Sequence, residues 1–156
     1  MVTYSIQESL SSNDRYKLFV LPSEGKAVES IVSDLENFGI PALNLGSAIA
    51  SFISSSVNYA YLSIETFDFT KKLIETQTRK PTGSKNEVLA FYNIGILFEP
   101  SLDLNPKILL KEFSKSSVLI LIWEDYIEET GVLKYSLQEE NYSLNFSEVP
   151  IKRISI

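Results

Sequence analysis

Four apolar stretches of strand length, separated by segments of helical periodicity, constrain the fold of this chain more than any other feature. Residues 16–21, 40–45, 87–98 and 117–123 are almost continuously apolar. A strand with one wet face alternates apolar and polar residues. An unbroken apolar run of this length instead suits a strand covered on both faces, as in a parallel sheet. Between the first two runs, Val28, Ile31, Val32, Leu35 and Phe38 recur at i, i+3, i+4, i+7 and i+10, the stripe of an amphipathic helix. Gly39 is a stop signal for it. Residues 47–54 and 64–77 read as further helices, and Asn105 with Pro106 as a cap and first turn. Residues 57–63 are ambiguous, and residues 78–86 form the clearest loop. Residues 3–11 suit a short helix, with Ile6 and Leu10 one turn apart. Strands alternating with helices imply βαβ units and a parallel core sheet.

After Trp123 the texture changes. Residues 131–135, 142–146 and 149–154 are short and polar-alternating, which predicts a small antiparallel addition at the sheet edge. No repeat or linker divides the 156 residues, so residues 1–156 are expected to form one domain. The opening segment lacks a basic start and a long apolar run, so no signal peptide is expected. The longest apolar stretch is too short to span a bilayer. The expected setting is the cytoplasm, without a membrane.

Composition narrows the chemistry. There is no cysteine and no histidine, which excludes disulfides, thiolate zinc sites and Ser-His-Asp hydrolysis. A metal would need oxygen ligands, which favours Mg²⁺ or Ca²⁺. The formal net charge is −6, whereas nucleic-acid binders usually carry a basic face. Lys71, Lys72, Arg79, Lys80 and Lys85 form the one notable basic cluster, read as solvated helix end and loop. Direct nucleic-acid contact is therefore not expected.

Ligands of doubly wound sheets lie at the carboxyl ends of the strands. After the first strand comes the window Val20, Leu21, Pro22, Ser23, Glu24, Gly25, Lys26, Ala27. It aligns with the Walker A pattern G-x-x-x-x-G-K-[ST], strand before and helix after. Gly25 and Lys26 stand where the motif needs them. Val20 replaces the first glycine, Ala27 the Mg²⁺-binding hydroxyl, and Glu24 puts a negative charge where phosphate should lie. No acid occurs between Glu87 and Glu99, so the third strand lacks the carboxylate that would hold Mg²⁺. The expectation is a weak phosphate site at Gly25 and Lys26, for which ATP or ADP is the candidate ligand. Asn44, Asn93 and Glu124 are candidates for the site mouth. No catalytic residue and no metal site is assigned. Trp123 is read as a core residue rather than a base-stacking platform. Glu124 and Asp125 are the remaining acids for a metal or partner contact. The stretch Tyr59, Tyr61, Phe67 and Phe69 is read as core, with a protein-binding patch as the sharper alternative.

Four segments together resemble BrxF, the small P-loop protein of type 3 BREX phage-defence systems. They are the strand–loop–helix with Gly25 and Lys26, the strand at residues 40–45 with its following helix, residues 92–102, and residues 109–116 leading to Leu121, Ile122 and Trp123. Within the third, Asn93, Leu97, Phe98, Pro100, Ser101 and Leu102 carry most of the likeness. The chain departs from the family where an acidic pair would fall at Tyr92 and Gly95, and where Lys115 replaces an arginine. The resemblance implies a P-loop-NTPase-like three-layer α/β sandwich. It also implies a non-catalytic or nucleotide-sensing subunit of a bacterial anti-phage complex, with other subunits as partners and self-association as a further arrangement. The competing expectation is an atypical ATPase using Gly25 and Lys26 with Glu99, Glu124 or an acid from a partner chain.

Overall fold

The computed structural model describes residues 2–55, 59–124, 126–128, 132–134, 143–145 and 151–156. Six strands form one sheet, all parallel. They are β1 (Thr3–Ser5), β2 (Leu18–Pro22), β3 (Ala42–Asn44), β4 (Val88–Tyr92), β5 (Val118–Trp123) and β9 (Ile151–Ser155), in the spatial order β1-β9-β2-β5-β4-β3. The central strands β2, β4 and β5 are buried along nearly their whole length, as the apolar runs require.

Alternate side chains of these strands feed two cores. Phe19, Leu21, Ala90, Ile120 and Ile122 pack beneath α1 (Ile6–Leu10) and α2 (Val28–Glu36). Leu18, Val20, Leu89, Phe91, Leu119 and Leu121 pack beneath α3 (Leu45–Ser55), α4 (Leu62–Gln77) and α5 (Pro106–Phe113). The result is a three-layer α/β/α sandwich, consistent with a Rossmann-like outline. Asn105 caps α5 by accepting the amide of Ile108 at 3.3 Å, with Pro106 in the first turn.

Several expected boundaries move. Residues 3–5 are strand rather than helix, and a capping box between Ser5 and Glu8 starts α1 only at Ile6. The apolar run after Glu87 stops being strand at Tyr92. Asn93 takes φ +58° there, and Gly95–Phe98 continue as a 3-10 turn. Within residues 57–63, Tyr59–Tyr61 form another such turn leading into α4; residues 57 and 58 lie outside the described residues.

The chain's end corrects the predicted antiparallel edge. The short strands β6 (Tyr126–Glu128), β7 (Val132–Lys134) and β8 (Ser143–Asn145) pair antiparallel, but as a separate three-stranded sheet. The last strand, β9, runs parallel inside the main sheet between β1 and β2. Ile151 enters one core and Ile154 the other. A strand buried on both faces needs apolar anchors of opposite parity, and these two residues, three apart, supply them. Asp125, part of residues 131–135 and 142–146, and residues 149 and 150 lie outside the described residues.

Candidate functional site at the carboxyl end of the sheet

The topology selects one place on the sheet. From β2 the chain turns to α2 on one face. From its neighbour β5 it goes to the small sheet, whose Ile127 and Leu133 belong to the core on the opposite face. Connections that diverge from adjacent parallel strands open a crevice between them. The crevice here lies between the turn after β2 and the segment after β5.

The turn is tight. Val20, the position of the missing first glycine, is fully buried within β2, opposite Leu121 and Arg153. Even Pro22 still pairs with Trp123. The Ser23 amide donates to the Trp123 carbonyl at 2.8 Å, and the Lys26 amide to the Ser23 carbonyl at 3.0 Å. Between them Glu24 and Gly25 have φ of +50° and +85°. A hydrogen bond across four residues with both central φ values positive is the pattern of a type I′ turn. Gly25 suits it, whereas Glu24 is a residue that rarely adopts this conformation. The wide loop that embraces a phosphate is thereby replaced by a turn whose Ser23 and Lys26 amides are already engaged. Helix α2 begins at Val28, and Ala27 at its cap makes no side-chain bond.

Arg153 of β9 lies over this turn. Its Nη2 stands 2.7 Å from Glu24 Oε1, the guanidinium a third exposed and the carboxylate two-thirds exposed. The pair borders two clefts. One, of about 190 Å³, runs between the turn, α2 and the end of β9, and includes Lys26, Asp34 and Arg153. The other, of about 310 Å³, is the crevice itself, bordered by Gly25, Trp123, Glu124, Ile127 and Arg153. Gly25 and Glu124 therefore share a cleft, and Lys26 borders the neighbouring one. Each cleft carries acids as well as cations, so neither is a purely basic cradle. Among the described residues no group of three acids converges to hold a metal ion.

Asn44 and Asn93 line neither cleft. The Asn93 Nδ2 donates to Asn44 Oδ1 at 3.0 Å, and the same oxygen accepts the amide of Ser47 at 3.0 Å. Asn44 thus caps the start of α3, as Asn does at helix N-termini, while Asn93 ties the end of β4 to it. Asn tolerates the left-handed backbone that position 93 needs. The packing is close: a Cβ on Gly46 would stand 2.2 Å from the Asn93 carbonyl oxygen. This pair builds the scaffold beside the crevice.

Trp123 is buried in the core with Leu133 and Ile151, and its ring is no platform for a base. Of the basic cluster, Arg79, Lys80 and Lys85 sit at the opposite end of the sheet, before β4 begins. There Arg79 Nη1 is bonded to the carbonyls of Thr76 and Thr78. Arg153 is the site residue that sequence reasoning missed. The available signal was the three-residue spacing of Ile151 and Ile154, which an edge strand with one dry face does not need.

Among the described residues no helix is long and apolar enough to cross a membrane. No protein-family model, curated protein or solved structure matches this chain.

Proposed function

We propose that this chain is a non-catalytic binding subunit built on a P-loop-type core and, from the resemblance to BrxF, a component of a bacterial anti-phage defence complex. One observation carries the non-catalytic part. Where a P-loop would wrap a phosphate, the chain forms a tight turn and sets its own carboxylate, Glu24, against Arg153. A phosphate entering there would have to displace that carboxylate and meet the negative charges of Asp34 or Glu124 nearby. Position 27 offers no hydroxyl and the end of β4 no acid, so Mg²⁺ would have no protein ligand on either side.

The test is calorimetric titration of ATP and ADP, with and without Mg²⁺, into the wild type and Lys26→Ala, alongside an ATP-turnover assay. Neither protein is expected to turn over ATP or to bind it below millimolar concentration. Magnesium-dependent turnover that disappears in Lys26→Ala would overturn the proposal. The assignment to defence has its own test. Deleting the gene is expected to restore phage plating, while Lys26→Ala keeps protection.

The atypical ATPase is the second reading, and the open crevice between Gly25 and Glu124 favours it. A partner subunit could reach that crevice with the missing acid. It requires ATP turnover that appears only when the partner subunits are added and that Lys26→Ala removes.

A further inference from the structure

On the sheet face opposite α2, helices α4 and α5 carry apolar side chains that stay exposed. Ile64 of α4 is 64% exposed, Ile108 of α5 is 62% exposed, and Tyr61, three residues before Ile64, is 59% exposed. Ile64 and Ile108 line one groove of about 300 Å³ together with Phe67, Leu104 and a single charged residue, Asp103. Isolated apolar side chains on a surface are ordinary, whereas several gathered around one groove mark a contact site.

Cations follow the two isoleucines farther along the same helices. Residues seven apart lie on one helical face, and this places Lys71 beyond Ile64 along α4. Lys111 lies three residues beyond Ile108, and Lys115 just past the end of α5. The Nζ atoms of Lys111 and Lys115 sit 5.1 and 6.0 Å from the centre of the Tyr16 ring, and Arg15 Cζ 5.4 Å from it. Glu112 shows that these cations converge. Lys115 hydrogen-bonds its carboxylate at 2.9 Å and holds its pKa below the ordinary range, with Lys71 and Arg15 adding to the effect. Arg15, Lys71 and Lys115 thus act on one carboxylate, and Lys111 joins Arg15 and Lys115 around the Tyr16 ring, in a chain whose net charge is −6.

We propose that the α4–α5 groove docks a helical segment of a partner protein, with apolar residues on Ile64 and Ile108 and acidic residues against Lys71, Lys111 and Lys115. Charge complementarity sets the polarity of the segment. Its acids lie within about two helical turns, or about 10 Å, of its apolar anchors, the rise from Ile64 to Lys71 along α4. A helix with anchors at i, i+3 or i+4, and i+7 matches a groove of this kind. Nucleic acid or an anionic lipid headgroup would use the cations and leave both isoleucines in water. A second copy of the chain would bring its own net charge of −6 against the first, which disfavours association.

A photo-crosslinking benzoylphenylalanine at position 108 of the full chain, in producing cells, tests this by mass-spectrometric mapping of the captured peptide. The expected product is one dominant protein segment with apolar residues at helical spacing and at least two Asp or Glu within two turns of them. Its yield should fall about tenfold in Lys111→Glu/Lys115→Glu and stay unchanged in Lys80→Glu, an exposed lysine of the loop before β4. Matching circular-dichroism melts would show that the double variant folds. Capture of the chain itself, of nucleic acid or of lipid would overturn the proposal. So would a segment without acids, a yield indifferent to the charge reversal, or no adduct.

Discussion

Gly46 and Asp14 show how single residues carry the two ends of this sheet. At the carboxyl end, Gly46 lets the first turn of α3 pass against Asn93. An added methyl would meet the Asn93 backbone oxygen, which cannot rotate away as a side chain could. Gly46→Ala is expected to destabilise the fold by about 1–3 kcal/mol, the usual range for overpacking. The measurement is the urea midpoint at constant m-value. A variant as stable as the wild type would show that α3 and the β4 turn separate freely. At the amino end, Lys152 of β9 pairs with Asp14. The hydrogen bond from Lys152 is the largest cause holding the Asp14 pKa below its ordinary 3.8. A pKa lowered by folding means that the native state binds fewer protons than the unfolded chain in this range. The stabilisation is therefore present above pH 3.8 and is lost as pH falls through the lower, folded-state value. Both side chains are partly exposed, so the pair is worth about 0.2–1 kcal/mol. The stability difference between wild type and Lys152→Met should be constant at neutral pH and vanish under strong acid. A difference that persisted there would assign the Lys152 contribution to packing on Tyr4, whose ring lies 5.4 Å from its ammonium.

At the scale of elements, β9 decides most. It pairs with β1 on one side and β2 on the other, and it delivers Arg153 to the site. Ile154 is fully buried, whereas Ile156, just past the strand, is half exposed. Ile154→Ala is expected to destabilise the protein by about 2–5 kcal/mol, and Ile156→Ala by no more than about 0.5 kcal/mol. Comparable small losses by chemical denaturation would mean that the strand is peripheral. The turn after β2 shows the limits of motif reading at this scale. Gly25 and Lys26 mark a strand-to-helix junction correctly, but junction width depends on where the strand stops. It stops at Pro22 because Val20 to Pro22 are held by neighbouring strands, and only five residues then remain before α2.

For the molecule as a whole, the two cores lie on opposite faces of one sheet and share its strands. Neither can be exposed without unpairing the same backbone ladder, so unfolding should be a single cooperative transition. The protein has one tryptophan, and Trp123 is buried beside Leu133 of the small sheet. Its fluorescence and the far-ultraviolet circular dichroism should therefore report the same midpoint. An earlier fluorescence transition would show the small sheet detaching first.

The parallel α/β core is legible along the chain, because strands covered on both faces must be apolar throughout and that pattern survives in one dimension. The missing histidine and cysteine are likewise facts of composition. The place where the final strand inserts is set only in three dimensions. Parallel pairing joins segments more than a hundred residues apart, and nothing local in residues 151–155 names β1 and β2 as neighbours. The same holds for the meeting of Glu24 with Arg153 and of Asn44 with Asn93. Both contacts follow from the order of strands in the sheet, which is set by how the whole set of apolar faces can be buried at once.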